Sequence, residues 1–461
     1  MNLLKLTPNQ LKQNLKSGRI VASIYGLGRV GLPLAAAWLR AGAKVIGVDI
    51  RQDWVNALNS KNFQFTDEPQ IKPILLEYIE KERFKATTDG AEASKQSNVK
   101  LITVPTLTTP EGEADLSALK SALTAIAQGL KEGDLVIIES SVPPKTTEEL
   151  AKPILEQQSG LKAEQQFGLA FSPERIMVGR ALQDIEENYP KIIGGIGPKS
   201  AKAAAALYEC IAKKGVITLS SPTAAELAKL FEGVYRDVNI ALANELAKLC
   251  AALNLDFMEI RKASNSQPYC HLHIPGCGVG GACIPIYPQY IINTAKKLGI
   301  QTPLTKTARQ INKNMPTYTV NLLTQELKKL RKPIEKTKIA ILGAAFRGNV
   351  SDTRLSPAIE IAKILKTKGA TIAVHDPHVK SNPTLNKLNI PLTTLQNATH
   401  NADAIIIATD HNQYKNLNLK DLVANAKKPT IIIDARNLHT QAKIPNKTIY
   451  ISISGKKAYH P

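Results

Sequence analysis

The sequence predicts an α/β protein with two parallel-sheet domains joined by a long central helix and a helical middle region. Three observations carry that expectation. Short continuous apolar runs alternate with helical stretches at both ends of the chain, the pattern of parallel sheets covered on both faces. One unbroken helical pattern, residues 222–253, lies between them. The length, 461 residues, exceeds what one ordinary core encloses. The expected spans are 1–215 for the first α/β domain, 216–325 for the central region and 326–461 for the second α/β domain.

In chain order, the β-rich run at 19–25 (RIVASIY) ends in glycines. A helix follows (LPLAAAWLRAG), closed by Gly42, and then a second strand at 44–48. Buried strands are expected at 99–104 (VKLITV) and 134–139 (DLVIIE). In the central helix, Thr223 and Glu226 have the T-x-x-E spacing of a capping box. A helix of this length can bridge two domains or pair with its own copy. From Lys338 the alternation resumes with strands KIAILG, ATIAVHD, ADAIIIAT and TIIIDA, and a helix over 357–368 between the first two.

The composition, 43% hydrophobic and 21% charged, is that of a soluble globular protein. No apolar run approaches the roughly 18 residues of a membrane span, and the N-terminus lacks a signal-peptide core. Five cysteines in this length make no disulfide framework, so a cytoplasmic setting with reduced thiols is expected. A net charge of +20 favours anionic partners. The lysines are scattered in ones and twos, and aromatics are only 5% of residues. A solvated basic surface explains that better than a nucleic-acid-binding stripe, so neither nucleic acid nor membrane is expected as a partner.

The chemistry-bearing motifs begin with Gly26-Leu27-Gly28-Arg29-Val30-Gly31, a G-x-G-x-x-G that follows a strand and opens a helix. Glycines allow a tight turn and close approach of a pyrophosphate, whose charge sits at the helix N-terminus. Asp49 closes the second strand 18 residues after Gly31, where a carboxylate accepts hydrogen bonds from ribose hydroxyls. Its charge repels a 2′-phosphate, which favours NAD over NADP, although Arg51 stands nearby. The second motif is IPGCGVGGACIPIYP at 274–288, in which Gly276, Gly278, Gly280 and Gly281 precede Cys283. A cysteine in such a loop is a candidate nucleophile. An inert structural thiol and a metal site are the competing readings, the latter because Cys270, His271, His273, Cys277 and Cys283 fall within 14 residues. The C-x(2–4)-C pairs usual in structural zinc sites are missing. Lys229, Gly233 and Arg236 fall at i, i+4 and i+7 on the central helix, where two cations can grip a phosphate or an oxyanion, or simply form a solvated stripe. Glu174, in Phe171-Ser172-Pro173-Glu174-Arg175, is a candidate base on a Pro-fixed turn. Glu139-Ser140-Ser141-Val142-Pro143-Pro144 ends a strand at the sheet's carboxyl edge, where ligands bind.

Together these segments resemble the UDP-glucose/GDP-mannose dehydrogenase family almost end to end. The matching stretches are GLGRVGLP, the VPT of 104–106, ESSVPPKTT, SPER, AELAKLFEGVYRDVNIALANE, PGCGVGGACIP, GAAFRGNVSDTRLSPA, HDPHV and DARN. RDVNIALANEL, PKIIGG and GVGG most resemble the branch that acts on UDP-N-acetyl-mannosamine. The resemblance implies two Rossmann-like domains, NAD-binding over 1–215 and nucleotide-sugar-binding over 326–461, with a dimer-building helix and the cysteine loop between. It implies a sugar alcohol oxidised twice by NAD, through a thioester on Cys283, to a carboxylate. Lys229 would steady the oxyanion, Ser141 position water and Glu174 act as base. Gly26, Gly28, Val30, Gly31, Asp49, Thr106 and Ser141 would hold NAD. Arg175, Ile176, Lys229, Arg236, Gly280 and Arg354 would line the path of a UDP-sugar. A homodimer or larger homo-oligomer is implied, and no metal. The chain departs from the family pattern at Gly233 (usually Asn), Ala282 (commonly His), Tyr287 (usually Asp), and Gln267 and Tyr269 (His and Arg in the mannosamine branch).

Overall fold

The computed structural model describes residues 1–65, 68–109 and 112–460. The chain divides into two compact units, Met1–Glu232 with Gln289–Leu298, and Gly233–Pro288 with Gly299–Pro461.

The first unit is built on an eight-stranded sheet. Its strands are β1 (Val21–Tyr25), β2 (Lys44–Val48), β3 (Phe84–Thr87), β4 (Val99–Ile102), β5 (Leu135–Ile138), β6 (Gly168–Phe171), β7 (Lys191–Gly195) and β8 (Val216–Leu219). Their spatial order is β8-β7-β6-β5-β4-β1-β2-β3. The apolar runs are continuous because alternate residues serve opposite faces. Ala22, Ile24, Val45, Leu101, Leu135 and Ile137 enter one apolar cluster. Tyr25, Ile46, Val48, Ile102, Val136 and Ile138 enter the other. Between β1 and β2, helix α1 (Gly31–Ala41) ends at Gly42, whose φ of 117° is the left-handed cap a glycine supplies.

Two features differ from the sequence expectation. Strand β7 runs antiparallel to β6, so its first residue, Lys191, lies at the edge where the parallel strands β5 and β6 end. The capping box expected at Thr223 and Glu226 does not form. Helix α2 (Pro222–Ala252) starts one residue after Ser221, whose Oγ accepts the Ala224 N–H at 3.1 Å. Glu226 instead accepts the backbone N–H groups of Lys145 and Thr147, at 2.6 and 2.9 Å, and the Thr147 hydroxyl. A free cap at 221 and unsatisfied N–H groups in the 145–147 turn win over the sequence spacing.

The second unit holds the remainder of α2, the cysteine loop, and α4 (Pro303–Lys329); helix α3 (Tyr287–Lys297) starts here and ends in the first unit. Its sheet contains β9 (Lys338–Leu342), β10 (Thr371–His375), β11 (Ala404–Ile407), β12 (Thr430–Asp434), β13 (Thr448–Ser452) and β14 (Lys457–His460). The order is β10-β9-β11-β12-β13-β14, parallel except for β14. Helix α5 (Pro357–Thr367) connects β9 to β10. Among the described residues no helix is long and apolar enough to cross a membrane.

Candidate active site

In the first unit the glycine turn is shaped by its neighbours. Gly26 has φ 95°, and its N–H donates to the Val48 carbonyl at 2.7 Å. A Cβ on Gly31 would lie 1.8 Å from the Gly26 carbonyl oxygen, so only glycine lets α1 start so close to β1. At Gly28 a Cβ would meet nothing within 4 Å, which leaves open space over the turn. No side chain caps α1, since Val30 holds the cap position, and a helix N-terminus left without a side-chain cap suits an anion. Asp49 is seated by the same turn: Oδ2 accepts the Leu27 N–H at 3.0 Å and Oδ1 the Arg51 N–H at 3.0 Å. The Arg51 guanidinium lies 5.3 Å from the Trp54 ring centre, and Trp54 Nε1 donates to the Leu27 carbonyl at 2.9 Å. With about four lone-pair directions, the Asp49 carboxylate can still accept ribose hydroxyls. These residues fit a dinucleotide.

Beside the turn, the loops after β4 and β5 lie against each other. The Thr106 hydroxyl donates to the Ser141 carbonyl, and the Ser140 hydroxyl to the Val104 carbonyl at 2.7 Å. Glu174 follows β6 and is buried. Its Oε1 accepts the Arg175 N–H at 2.7 Å, and its Oε2 accepts Lys191 Nζ at 2.8 Å. Lys191 Nζ also donates to Glu139 Oε2 at 2.8 Å, and the Tyr208 hydroxyl touches Glu139 Oε1. Burial opposes the charge of Glu174, but Lys191, the Arg175 N–H and the field of Lys229 outweigh it and hold the carboxyl below its ordinary value. Burial pushes Glu139 up to about 8, only partly offset by Lys191 and increased by Glu174. Arg175 is engaged elsewhere: its guanidinium meets Glu232 at 2.9 Å and the Pro190 carbonyl, and lies 4.8 Å from the Tyr189 ring centre. Ile176 packs against the core beside α1.

In the second unit the cysteine loop is anchored by a polar ladder between α2 and α4. Arg309 Nε and Asn312 Nδ2 reach Asp237 at 2.6 and 2.7 Å. Asn244 Nδ2 donates to Asn312 Oδ1 at 2.9 Å, and Asn244 Oδ1 accepts the Gly276 N–H at 2.9 Å. Asn437 Nδ2 holds the Pro275 carbonyl at 3.0 Å. Farther along, the Gly281 N–H donates to the Arg354 carbonyl at 2.8 Å. A Cβ on Gly280 would lie 2.6 Å from the Leu355 oxygen, so the loop packs backbone to backbone on the segment before α5. Cys283 emerges from this loop exposed, one turn ahead of α3, with its carbonyl accepting the Tyr287 N–H at 3.0 Å. The Arg354 guanidinium, gripped by Asp352, is close enough to feel both Cys283 and Tyr287. Arg236 is exposed on α2.

The other loop cysteines are committed differently. Cys277 is buried with Sγ 3.5 Å from the Ala408 carbonyl, and burial pushes its thiol up to about 11. Cys270 Sγ lies 3.6 Å from Asn265 Oδ1. Among the described residues no three His, Cys, Asp or Glu side chains converge as metal ligands. Two departures from the family pattern turn out to be one feature: a Cβ on Gly233 would lie 2.6 Å from Cδ2 of Tyr287, so the tyrosine ring occupies the space a larger residue at 233 would take.

Sequence reasoning missed Lys191, Tyr208, Arg309 and Asn312, and assigned nothing to Asp237 or Asn244. The last two carried a signal: they stand seven residues apart on one helix, hence on one face. Lys191 carried another, as a lysine that opens an otherwise apolar strand.

Family models match in three consecutive stretches. The NAD binding domain of the UDP-glucose/GDP-mannose dehydrogenase family matches residues 20–212, its central domain 223–314 and its UDP binding domain 340–441. The chain is 37% identical over 416 residues to a UDP-N-acetyl-D-mannosamine dehydrogenase of Pyrococcus horikoshii, covering 90% of this chain and 95% of that one. It is 33% identical over 429 residues to an NDP-N-acetyl-D-galactosaminuronic acid dehydrogenase of Ralstonia solanacearum, covering 92% and 97%. The solved structure of a UDP-D-ManNAc dehydrogenase from Pyrococcus horikoshii superposes with a TM-score of 0.87 at 35% identity, over 95% of this chain and 99% of that one. The chain belongs to the UDP-glucose/GDP-mannose dehydrogenase family and is an NAD-dependent nucleotide-sugar dehydrogenase.

Proposed function

We propose that this family member oxidises the C6 hydroxymethyl of UDP-N-acetyl-D-mannosamine to a carboxylate through a thioester on Cys283, supplying a uronate for surface glycan assembly. One observation carries the chemistry: of the three cysteines in and beside the glycine loop, Cys283 alone is exposed, and it stands in the field of the Arg354 cation. NAD supplies the hydride acceptor for each two-electron step. Glu174, held ionised, takes the proton of the alcohol. Lys229 faces the oxyanion and Ser141 orients water. The Cys283 thiolate adds to the aldehyde, and after loss of the second hydride the thioester is released by water. Arg236, Gly280 and Arg354, with Arg175 and Ile176, line the path of the UDP-sugar. The substrate rests on the mannosamine-named relative and solved structure.

The alternative substrate is UDP-glucose or UDP-N-acetylglucosamine, since the Tyr287 ring seated on Gly233 is a departure from the family pattern four residues after Cys283. A panel of UDP-sugars with NAD, followed by NADH absorbance, separates these readings. The proposal expects the mannosamine sugar to give the highest kcat/KM. A higher value for either alternative moves the substrate, and no turnover with any sugar removes the reaction.

The protein works as a homodimer in the cytoplasm in this reading. Tyr235, Leu242 and Leu249 recur every seven residues on α2 and are exposed, an apolar stripe suited to a second copy. All five cysteines are free, in keeping with a reducing compartment.

A further inference from the structure

We propose that Lys191 is the positioning residue for Glu174, and that Glu139 with Tyr208 fixes Lys191 from its other side; this rests on the reading of Glu174 as the base. The antiparallel run of β7 brings Lys191 to the edge where β5 delivers Glu139 and β6 delivers Glu174. The ammonium bridges the two carboxylates at 2.8 Å each, and all three side chains are at most 6% exposed. Lys191 also lies 5.0 Å from the Tyr208 ring centre, and Tyr208 packs edge-on against Trp38, which fixes the far end of the chain of contacts.

Two carboxylates and one ammonium sum to a net negative charge, so a cluster this deeply buried favours retention of one proton. The surroundings decide which carboxyl keeps it. Glu174 faces Lys191, the Arg175 N–H and the field of Lys229, with the Tyr189 phenol also in its field. Glu139 faces Lys191, Glu174 and the Tyr208 hydroxyl. Only Glu174 gains cationic help beyond the shared lysine. The proton therefore sits on Glu139, in contact with Tyr208, and Glu174 stays ionised with its oxygens held in place. Above the value to which burial raises Glu139, about 8, the second carboxylate ionises and competes for Lys191.

The test is the pH profile of kcat/KM for the full-length protein and its variants Lys191→Met, Lys191→Arg and Glu139→Gln. Removal of the cation should raise the value at which Glu174 protonates, so the acid limb of Lys191→Met should move up by about one pH unit or more. Lys191→Arg should return the limb close to its original place, and Glu139→Gln should abolish any alkaline transition that belongs to Glu139. A fall in activity in Lys191→Met with an unmoved acid limb would overturn the proposal. Infrared spectroscopy supplies a readout that survives misfolding of Lys191→Met. The infrared difference between wild type and Glu139→Gln at neutral pH should contain the carbonyl stretch of one protonated buried carboxyl, apart from that of Glu226, which burial raises to about 7; a variant that loses no band would also overturn the proposal. If Glu174→Gln keeps full turnover, the base reading fails, while the infrared band still reports on the Lys191–Glu139 clamp.

Discussion

The two sheets carry the same device at the same place and use it differently. Asp49 ends the second strand of the first sheet, and Asp376 ends the corresponding strand of the second sheet. Each accepts backbone N–H groups from the turn after the neighbouring strand. Asp49 takes the Leu27 N–H and stands at the rim of an open glycine turn. Asp376 takes the N–H groups of Ala344 and Ala345 at 2.7 and 3.0 Å, those of His378 and Val379, and His411 Nε2 at 3.0 Å. It is buried, and its oxygens are committed. The second turn reads GAAFRG, without the glycine spacing that admits a pyrophosphate. A carboxylate at this position keeps capacity for a ligand only where the turn leaves it free to accept more bonds. Where the protein saturates it, the same carboxylate becomes a staple.

The largest effect separating the two should be on stability. Asp376→Ala should cost about 3–5 kcal/mol, the scale for removing one partner of a buried polar cluster, whereas Asp49→Ala, which frees only the Leu27 and Arg51 N–H groups beside an open turn, should cost about 1 kcal/mol. The cluster holds the Asp376 carboxyl well below the ordinary carboxylate value, against the opposing effect of burial. Its contribution is therefore present above pH about 4 and lost as pH falls from there toward the depressed value. An acid titration of wild type against Asp376→Ala should show their difference shrinking over that range. A constant difference would detach the staple from the carboxylate's charge.

Next in size is Lys229, on the side of the molecule read as chemical rather than structural. Aimed at charge that appears in the transition state, it should matter for rate more than for binding. Lys229→Ala should lose on the order of 100-fold or more in kcat. Weaker substrate binding at unchanged kcat would reassign Lys229 to gripping phosphate.

The smallest effect concerns the open carboxylate. Asp49→Ala should weaken NAD binding by about 1–3 kcal/mol by calorimetry, the scale of hydrogen bonds to a charged group. Wild type should turn over faster with NAD than with NADP. Equal or better turnover with NADP would show that Arg51, not Asp49, governs the ribose end.

The contrast between the two aspartates also marks where sequence reading succeeds. Asp49 was legible because glycines, helix and acid sit in fixed order along one stretch of chain. The saturation of Asp376 was not, because its partner His411 comes from a loop 35 residues away. The same holds for the Glu139–Lys191–Glu174 cluster, whose members meet only because β7 reverses direction, which periodicity in a short apolar run does not report. The capping box at Thr223 failed for a related reason: the nearby spacing was right, but Glu226 was claimed by the 145–147 turn. Tyr287 and Gly233 read as two separate departures in the sequence, and the packing of ring on glycine joins them.

The central claim, a thioester on Cys283, is tested most directly by the yield of NADH per molecule of sugar acid. Alcohol oxidation alone stops at the aldehyde; reaching the acid needs a nucleophile that turns the aldehyde carbon into a second hydride donor. Wild type should release two NADH for each acid formed. Cys283→Ala should still bind NAD and the UDP-sugar but form no acid, while Cys270→Ala and Cys277→Ala should keep making it. Undiminished acid formation at two NADH per molecule in Cys283→Ala would contradict the account.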